Sequence, residues 1–331
     1  MRKHLLFIVL SALLLSGCGS NKKETIDETE INTEMTEEEI EEQIKNDNRL
    51  SPAFKNYLLS QETAVIGTEA NFEDFDFISP ISSGQSATIQ DMCNMIENDM
   101  DNKCLLGVSY GLIDCGMDGQ FELAVEYEFL EPESNLTVAM TTIVCEDQGK
   151  LTLSFVAHSV YKIVSHFYAD GCYVQSSHIA ISFGFDYGIL DSTGCLEMIF
   201  KEQYWDREQI DPDDLALLAY FGYDSMEQIT KEDKQTINDL LHDVQLIAYT
   251  IGPKTYLNCH PESDPNADKL SPSYYLSLCE KYGTVFYSDE EVNALIDQRK
   301  SDLGFTKWTG DHSHEDIEWN HLAGDKFGYI Y

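Results

Sequence analysis

The chain contains no Cys-x-x-Cys pair, no P-loop, no Gly-x-Gly-x-x-Gly turn, no His-Glu-x-x-His helix and no Gly-x-Ser-x-Gly elbow. Thioredoxin-like redox chemistry, phosphate-loop hydrolysis, dinucleotide binding, zincin proteolysis and α/β-hydrolase catalysis therefore lose their sequence support. Basic residues are scarce as well: 21 Lys and Arg stand against 59 Asp and Glu, a formal net charge of −38 in 331 residues. Such a surplus argues against nucleic acid as a partner and against electrostatic adsorption to anionic lipid. Solubility explains it, and cation binding is the functional alternative. Only one long apolar run exists, Leu5 to Leu15. It falls short of the roughly 20 residues that a membrane-spanning helix needs.

That run has a cationic start, Met1-Arg2-Lys3-His4, and ends on small residues, Ser16 and Gly17. A basic segment, a short apolar stretch and small residues at the cut describe a secretory signal peptide. Leu15-Ser16-Gly17-Cys18 resembles the lipobox of bacterial lipoproteins. The resemblance implies cleavage before Cys18, diacylglycerol on the Cys18 thiol and an N-acyl lipid on the new amino end. It also implies a place on the extracytoplasmic face of the cell membrane, held by that anchor. The other reading of the same residues is an ordinary signal peptide in which Cys18 is coincidental.

From Gly19 to Asn48 apolar residues are nearly absent, proline is missing and acids are dense, among them Glu37, Glu38, Glu39, Glu41 and Glu42. Little apolar surface and strong self-repulsion predict a disordered, extended linker over 18–50. Within it, Thr36 and Glu39 form a capping-box pattern for a solvated, marginal helix over 37–46.

Residues 51–331 form the expected α+β domain. A short helix is predicted over Pro52–Leu59, an extended stretch from Phe72 to Ile78, and a helix over 89–100 behind Thr88 and Asp91. Strands follow at Leu105–Tyr110, Phe121–Phe129, Thr137–Cys145, Leu151–Val160, Ile179–Tyr187 and Leu196–Phe200, with Gly- and Asp-rich turns between them. The β-rich part is thus 104–205, and its short turns point to antiparallel pairing. A mainly helical part, 206–305, comes next. Its helices are predicted from Asp211 to Tyr220, from Thr230 to about Ile247, over Pro272–Tyr282 and over 289–300. Strands first and helices later fit α+β rather than a doubly wound or barrel architecture.

Eight cysteines lie beyond Cys18: Cys93, Cys104, Cys115, Cys145, Cys172, Cys195, Cys259 and Cys279. An even number in an exported chain suits disulfides, but apolar contexts such as Ile143-Val144-Cys145 suit buried free thiols.

Ile113-Asp114-Cys115-Gly116-Met117-Asp118-Gly119-Gln120-Phe121-Glu122 carries the clearest motif. Carboxylates around a tight glycine turn can hold calcium, with Asp114, Asp118 and Glu122 as the ligands. Gly116 and Val125 replace ligands that an EF-hand requires, so it is not an EF-hand. The alternative is a structural turn, stitched by Asp side chains to backbone amides. The segment Leu112–Ala124 resembles an Asp-x-Gly-x-Asp-Gly-x-x-Glu-Leu hairpin of exported lipoproteins of Gram-positive anaerobes. That resemblance spans about 104–205 and brings no activity with it.

A second concentration of metal-capable groups is Asp311-His312-Ser313-His314-Glu315-Asp316, with Glu318 and His321 nearby. It reads either as a metal site or as a solvated loop over Trp308 and Trp319. Elsewhere His158, His166, His178, His242 and His260 are scattered and read as structural. Tyr204, Trp205, Tyr274 and Tyr275 are of the type that lines a sugar or peptide site. The functional expectation is a membrane-anchored lipoprotein that binds an extracellular ligand or protein partner, or serves envelope structure. A secreted hydrolase acting on polysaccharide or peptide is the alternative.

Overall fold

The computed structural model describes residues 36–68, 70, 83–99, 104–131, 136–159, 162–179, 182–205, 230–261, 277, 280–281, 285–305 and 314–322. These residues form two sheets with helices on their outer faces.

The first sheet has seven strands in the order β13-β3-β4-β5-β6-β1-β2. They are β1 (Ala64–Ile66), β2 (Ser86–Ala87), β3 (Cys104–Ile113), β4 (Glu122–Glu131), β5 (Leu136–Asp147), β6 (Lys150–Ser159) and β13 (Asn320–His321). Its centre, β3 to β6, is an antiparallel meander, and β1 joins β6 in parallel. The turn between β5 and β6 uses Gln148 and Gly149, both at positive φ. That hairpin is where the sequence places it.

The second sheet holds six consecutive strands in the order β12-β11-β10-β9-β8-β7, all antiparallel. These are β7 (Ile163–Phe167), β8 (Cys172–Ile179), β9 (Ser182–Leu190), β10 (Leu196–Trp205), β11 (Val244–Ile251) and β12 (Lys254–Pro261).

Alternation along the strands sorts side chains between faces. Tyr110, Val125, Tyr127 and Met140 face one side of the first sheet, under α1 (Glu37–Asn46), α2 (Pro52–Leu58) and α3 (Ile89–Asp99). Ile113, Ala124 and Ile143 face the other side and meet Phe167, Tyr173 and Leu190 of the second sheet. On the far face of that sheet, Phe200 and Ile251 pack under Val292 and Ile296 of α5 (Asp289–Asp302). The last described segment ties both sheets together. Asp316 bridges to Tyr168, Ile317 enters the core between the sheets, and β13 pairs with β3.

Several expectations change. Residues 36–50 are not linker: Ile40 and Ile44 are buried, at 4% and 1% exposure, against α2 and the first sheet. Two apolar residues one turn apart suffice to seat an otherwise acidic helix. The capping box is present, with Glu39 and Thr36 bonded reciprocally. The helix begun at Thr230, α4 (Lys231–Asp243), stops short of Ile247. Val244 and Ile247 instead belong to β11, which pairs with β10 across the sheet. Their spacing matches both periods, and pairing of a segment rich in β-branched and aromatic residues decides for the strand. With β12 beside it, the described residues of 206–305 hold two strands as well as the helices α4 and α5. Strands β7 and β8 were not foreseen, and Ile179 ends β8 rather than opening β9.

Helices α2, α3 and α5 lie where the sequence places them, α3 and α5 behind the caps Thr88 and Ser288, and Ser51 also caps α2. The expected features at 72–78, 211–220 and most of 272–282 lie outside the described residues, as does Cys18. Six of the described cysteines, Cys93, Cys115, Cys145, Cys172, Cys195 and Cys259, form no disulfide.

Candidate functional site

Period-two alternation places Phe183, Phe185 and Tyr187 of β9 on the outer face of the second sheet. Register sets them beside Tyr204, Glu202 and Phe200 of β10, and Glu202 in turn beside Tyr249 of β11. A glutamate therefore occupies an apolar position in an aromatic row. The rings pack by their edges and faces: Phe183 on Phe185 at 4.7 Å and Tyr187 stacked on Phe200 at 4.4 Å. Phe183, Phe185, Tyr187 and Tyr204 all remain half-buried rather than sealed.

Burial raises the Glu202 carboxyl above its ordinary pKa, and hydrogen bonds from the hydroxyls of Tyr204 and Tyr249 only partly oppose this. The Tyr249 bond is 2.7 Å. Both tyrosines are pushed far up, by burial first and by Glu202 second. Among the described residues, Glu202 is hydrogen-bonded to these two tyrosines and to no cation. A carboxyl in that setting is held toward its protonated form.

Strand β12 adds the rest. Tyr256, Asn258 and His260 alternate onto this same face, since Tyr256 pairs with Tyr249 and Asn258 with Ile247. Opposite them runs the lead into α5, fixed by the Tyr287 amide donating to the Leu257 carbonyl at 2.8 Å. Asn258 Nδ2 donates to the Tyr287 carbonyl and to Asp289 Oδ1, each at 2.9 Å. His260 Nε2 lies 3.5 Å from the same Asp289 oxygen. Asn258 thus orients a carboxylate that also faces an imidazole.

Two atoms in this cluster are buried without a hydrogen-bond partner among the described residues, Asn258 Oδ1 and His260 Nδ1. Asn258 is fully buried and His260 is 8% exposed. Orphaned polar atoms at this depth carry a desolvation cost of about 1–3 kcal/mol each unless something outside the chain satisfies them.

The residues singled out from the sequence fare differently. Asp114 accepts the amides of Asp118 and Gly119 at 2.9 and 3.0 Å, and Asp118 accepts that of Gln120 at 2.8 Å. Glu122 turns inward, accepts the Cys115 amide at 2.8 Å, and is pushed up to about 7 by burial. These bonds stitch the turn together, and among the described residues Asp114, Asp118 and Glu122 are not in the group gathered at metal-ligand spacing. His314 and His321 part company: His314 Nδ1 meets Asp170 Oδ2 at 2.5 Å, whereas His321 Nδ1 meets Ser109 Oγ at 2.8 Å on the first sheet. His312, Trp308, Tyr274 and Tyr275 lie outside the described residues. Tyr204 is part of the Glu202 cluster.

Sequence reading missed Glu202, Asn258, His260 and Asp289. The available signal was phase: Phe200, Glu202 and Tyr204 alternate on one face, as do Tyr256, Asn258 and His260, so each polar residue breaks an otherwise apolar register. No protein-family model matches the chain, and neither a curated protein nor a solved structure matches it significantly.

Proposed function

We propose that this chain is a lipid-anchored extracytoplasmic protein whose second sheet binds an uncharged saccharide. The observation that carries the ligand class is the Glu202–His260–Asp289 cluster beside half-buried rings. Sugars present apolar C–H faces that lie against aromatic rings and hydroxyls that pair with carboxyl, amide and imidazole groups. Asn258 Oδ1 and His260 Nδ1 are buried polar atoms of the kind such hydroxyls satisfy. The net charge of −38 disfavours polyanionic ligands and leaves neutral ones unaffected.

The anchor rests on Leu15-Ser16-Gly17-Cys18 and the apolar run before it. Cys18→Ser is expected to move the protein from the membrane pellet to the soluble fraction or to block its processing. Unchanged pelleting would remove the lipoprotein reading.

For the ligand, electrophoresis through gels containing soluble neutral β-glucans or glycol chitin supplies the test. The wild-type chain should be retarded, and His260→Ala and Tyr204→Ala should each lose most of the retardation, roughly tenfold in affinity. Equal migration of wild type and variants in every gel would discard the saccharide reading.

One observation favours hydrolysis as a second reading: a carboxyl held toward its protonated form, Glu202, shares a face with Asp289 and its imidazole partner. Those are the components of acid–base catalysis on a glycosidic bond. Release of reducing ends from the same polysaccharides, abolished by Glu202→Gln, would favour it over simple binding.

A further inference from the structure

Asp170, Cys172 and His314 bring a carboxylate oxygen, a thiol sulfur and an imidazole nitrogen within 4.8 Å of one another. From this geometry we propose that these three side chains form a zinc site. It uses none of Asp114, Asp118 and Glu122, and neither Glu202 nor His260.

The donor set decides the metal. Calcium and magnesium want oxygen, whereas one thiolate, one imidazole and one carboxylate suit zinc. Zinc bonds of about 2.0–2.3 Å set tetrahedral ligand atoms roughly 3.3–3.8 Å apart, so the three atoms are already near their places. Asp170 Oδ2 and His314 Nδ1, now 2.5 Å apart and hydrogen-bonded, would open slightly as the metal displaces their shared proton. Cys172 gives up its thiol proton on binding. Zn²⁺ with two anionic ligands and one neutral imidazole leaves no net charge at the site. Three protein ligands leave the fourth position to water or to another group.

Backbone structure holds the ligands where they are. Asp170 and Cys172 flank Gly171 in the turn from β7 to β8, closed by the Gly171 amide on the Tyr168 carbonyl at 3.0 Å and the Tyr168 amide on the Cys172 carbonyl at 2.9 Å. The Cys172 amide also donates to Asp170 Oδ1 at 3.2 Å. His314 arrives on the segment that ties the sheets together. There the Ala169 amide donates to the Glu315 carbonyl at 2.8 Å, and Tyr168 bridges to Asp316. The Tyr168 ring lies 5.2 Å from the His314 ring and limits its rotation. Two segments remote in sequence are thus locked in register beside the three ligand atoms, which is the preorganisation a metal site requires.

The test is metal titration of the full-length chain, reduced and stripped by a chelator. Cobalt should bind at one equivalent with a sulfur-to-metal charge-transfer band in the near ultraviolet, and equimolar zinc should bleach it. Cys172→Ser should abolish the band, and Cys195→Ser should keep it. Asp170→Asn and His314→Ala should each weaken zinc binding roughly tenfold or more. A band that survives Cys172→Ser, or no saturable equivalent of either metal, overturns the proposal. Should Cys172→Ser fail to fold, judged by circular dichroism, Asp170→Asn decides alone: undiminished zinc affinity there also overturns it. His260→Ala should bind zinc as the wild type does, which separates this site from the saccharide face.

Discussion

The protein should be more stable at pH 5 than at pH 8, and Glu122→Gln and Glu126→Gln should remove much of the difference. Burial lifts the carboxyls of Glu122 and Glu126 from 4.5 to about 7 in the folded chain, and lifts that of Glu202 as well. Each folded pKa lies above its unfolded value, so between about 4.5 and 7 the folded state holds a proton that the unfolded state has released. Stability therefore falls as pH rises through that window, and the full penalty is felt above it. Loss of self-repulsion at a net charge of −38 acts in the same direction, so the wild-type profile cannot isolate these groups.

The variants do isolate them. Gln keeps an acceptor for the Cys115 amide at position 122 and for Thr141 at position 126, yet never ionises. Each substitution should add about 1–2 kcal/mol at pH 8 and nothing at pH 4.5, less than the full shift implies because solvent still reaches both groups. Urea unfolding at the two pH values measures this directly. A double variant whose pH slope matches the wild type would refute the burial argument.

Gly171→Ala should cost about 2–5 kcal/mol and lower the melting temperature by roughly 5–15 °C. Two separate penalties combine. Gly171 sits at φ +83°, a region that costs an L-residue about 1–2 kcal/mol. A Cβ there would also stand 2.8 Å from the Asp114 carbonyl and 3.3 Å from Cys115 Cα, both backbone atoms that cannot swing aside. The reason for the contact is the docking of the aspartate turn onto the β7–β8 turn, where the Asp114 amide donates to the Ala169 carbonyl at 2.8 Å. Gly119 supplies the comparison: its φ is +84°, but nothing lies within 4 Å of a Cβ. Gly119→Ala should therefore cost only the conformational part, about 1 kcal/mol. Equal losses at both positions would show that the close approach at Gly171 contributes nothing.

Local signals in this sequence were dependable where a side chain answers to its immediate neighbours. The caps read at Thr36, Thr88, Thr230 and Ser288 all mark true helix starts. Turns at Gln148-Gly149 and at Asp191 to Gly194 separate the strands they predict. The α+β class follows from these alone. What stayed hidden depends on long-range pairing. Val244 and Ile247 read as helix because their spacing fits both periods, and only β10 reveals the strand. Ile40 and Ile44 were lost among acids because two residues make a weak pattern until a core receives them. The candidate site was hidden for the same reason: Glu202, His260 and Asp289 lie on three different elements. The aspartate turn showed the converse. Its motif stood out in the sequence, and its carboxylates serve the turn itself.

Nuclear magnetic resonance of the His260 imidazole, in a titration with short neutral β-glucan and chitin oligosaccharides, tests the saccharide-binding face most directly. His260 Nδ1 is the buried atom that a sugar hydroxyl should satisfy, so its resonance should move saturably with at least one of these probes. The Tyr204 and Tyr249 ring signals should move with it, at the same midpoint. If the His260 nitrogen stays unmoved through the whole series, or if shifts appear only on the first sheet, the saccharide-binding face does not exist.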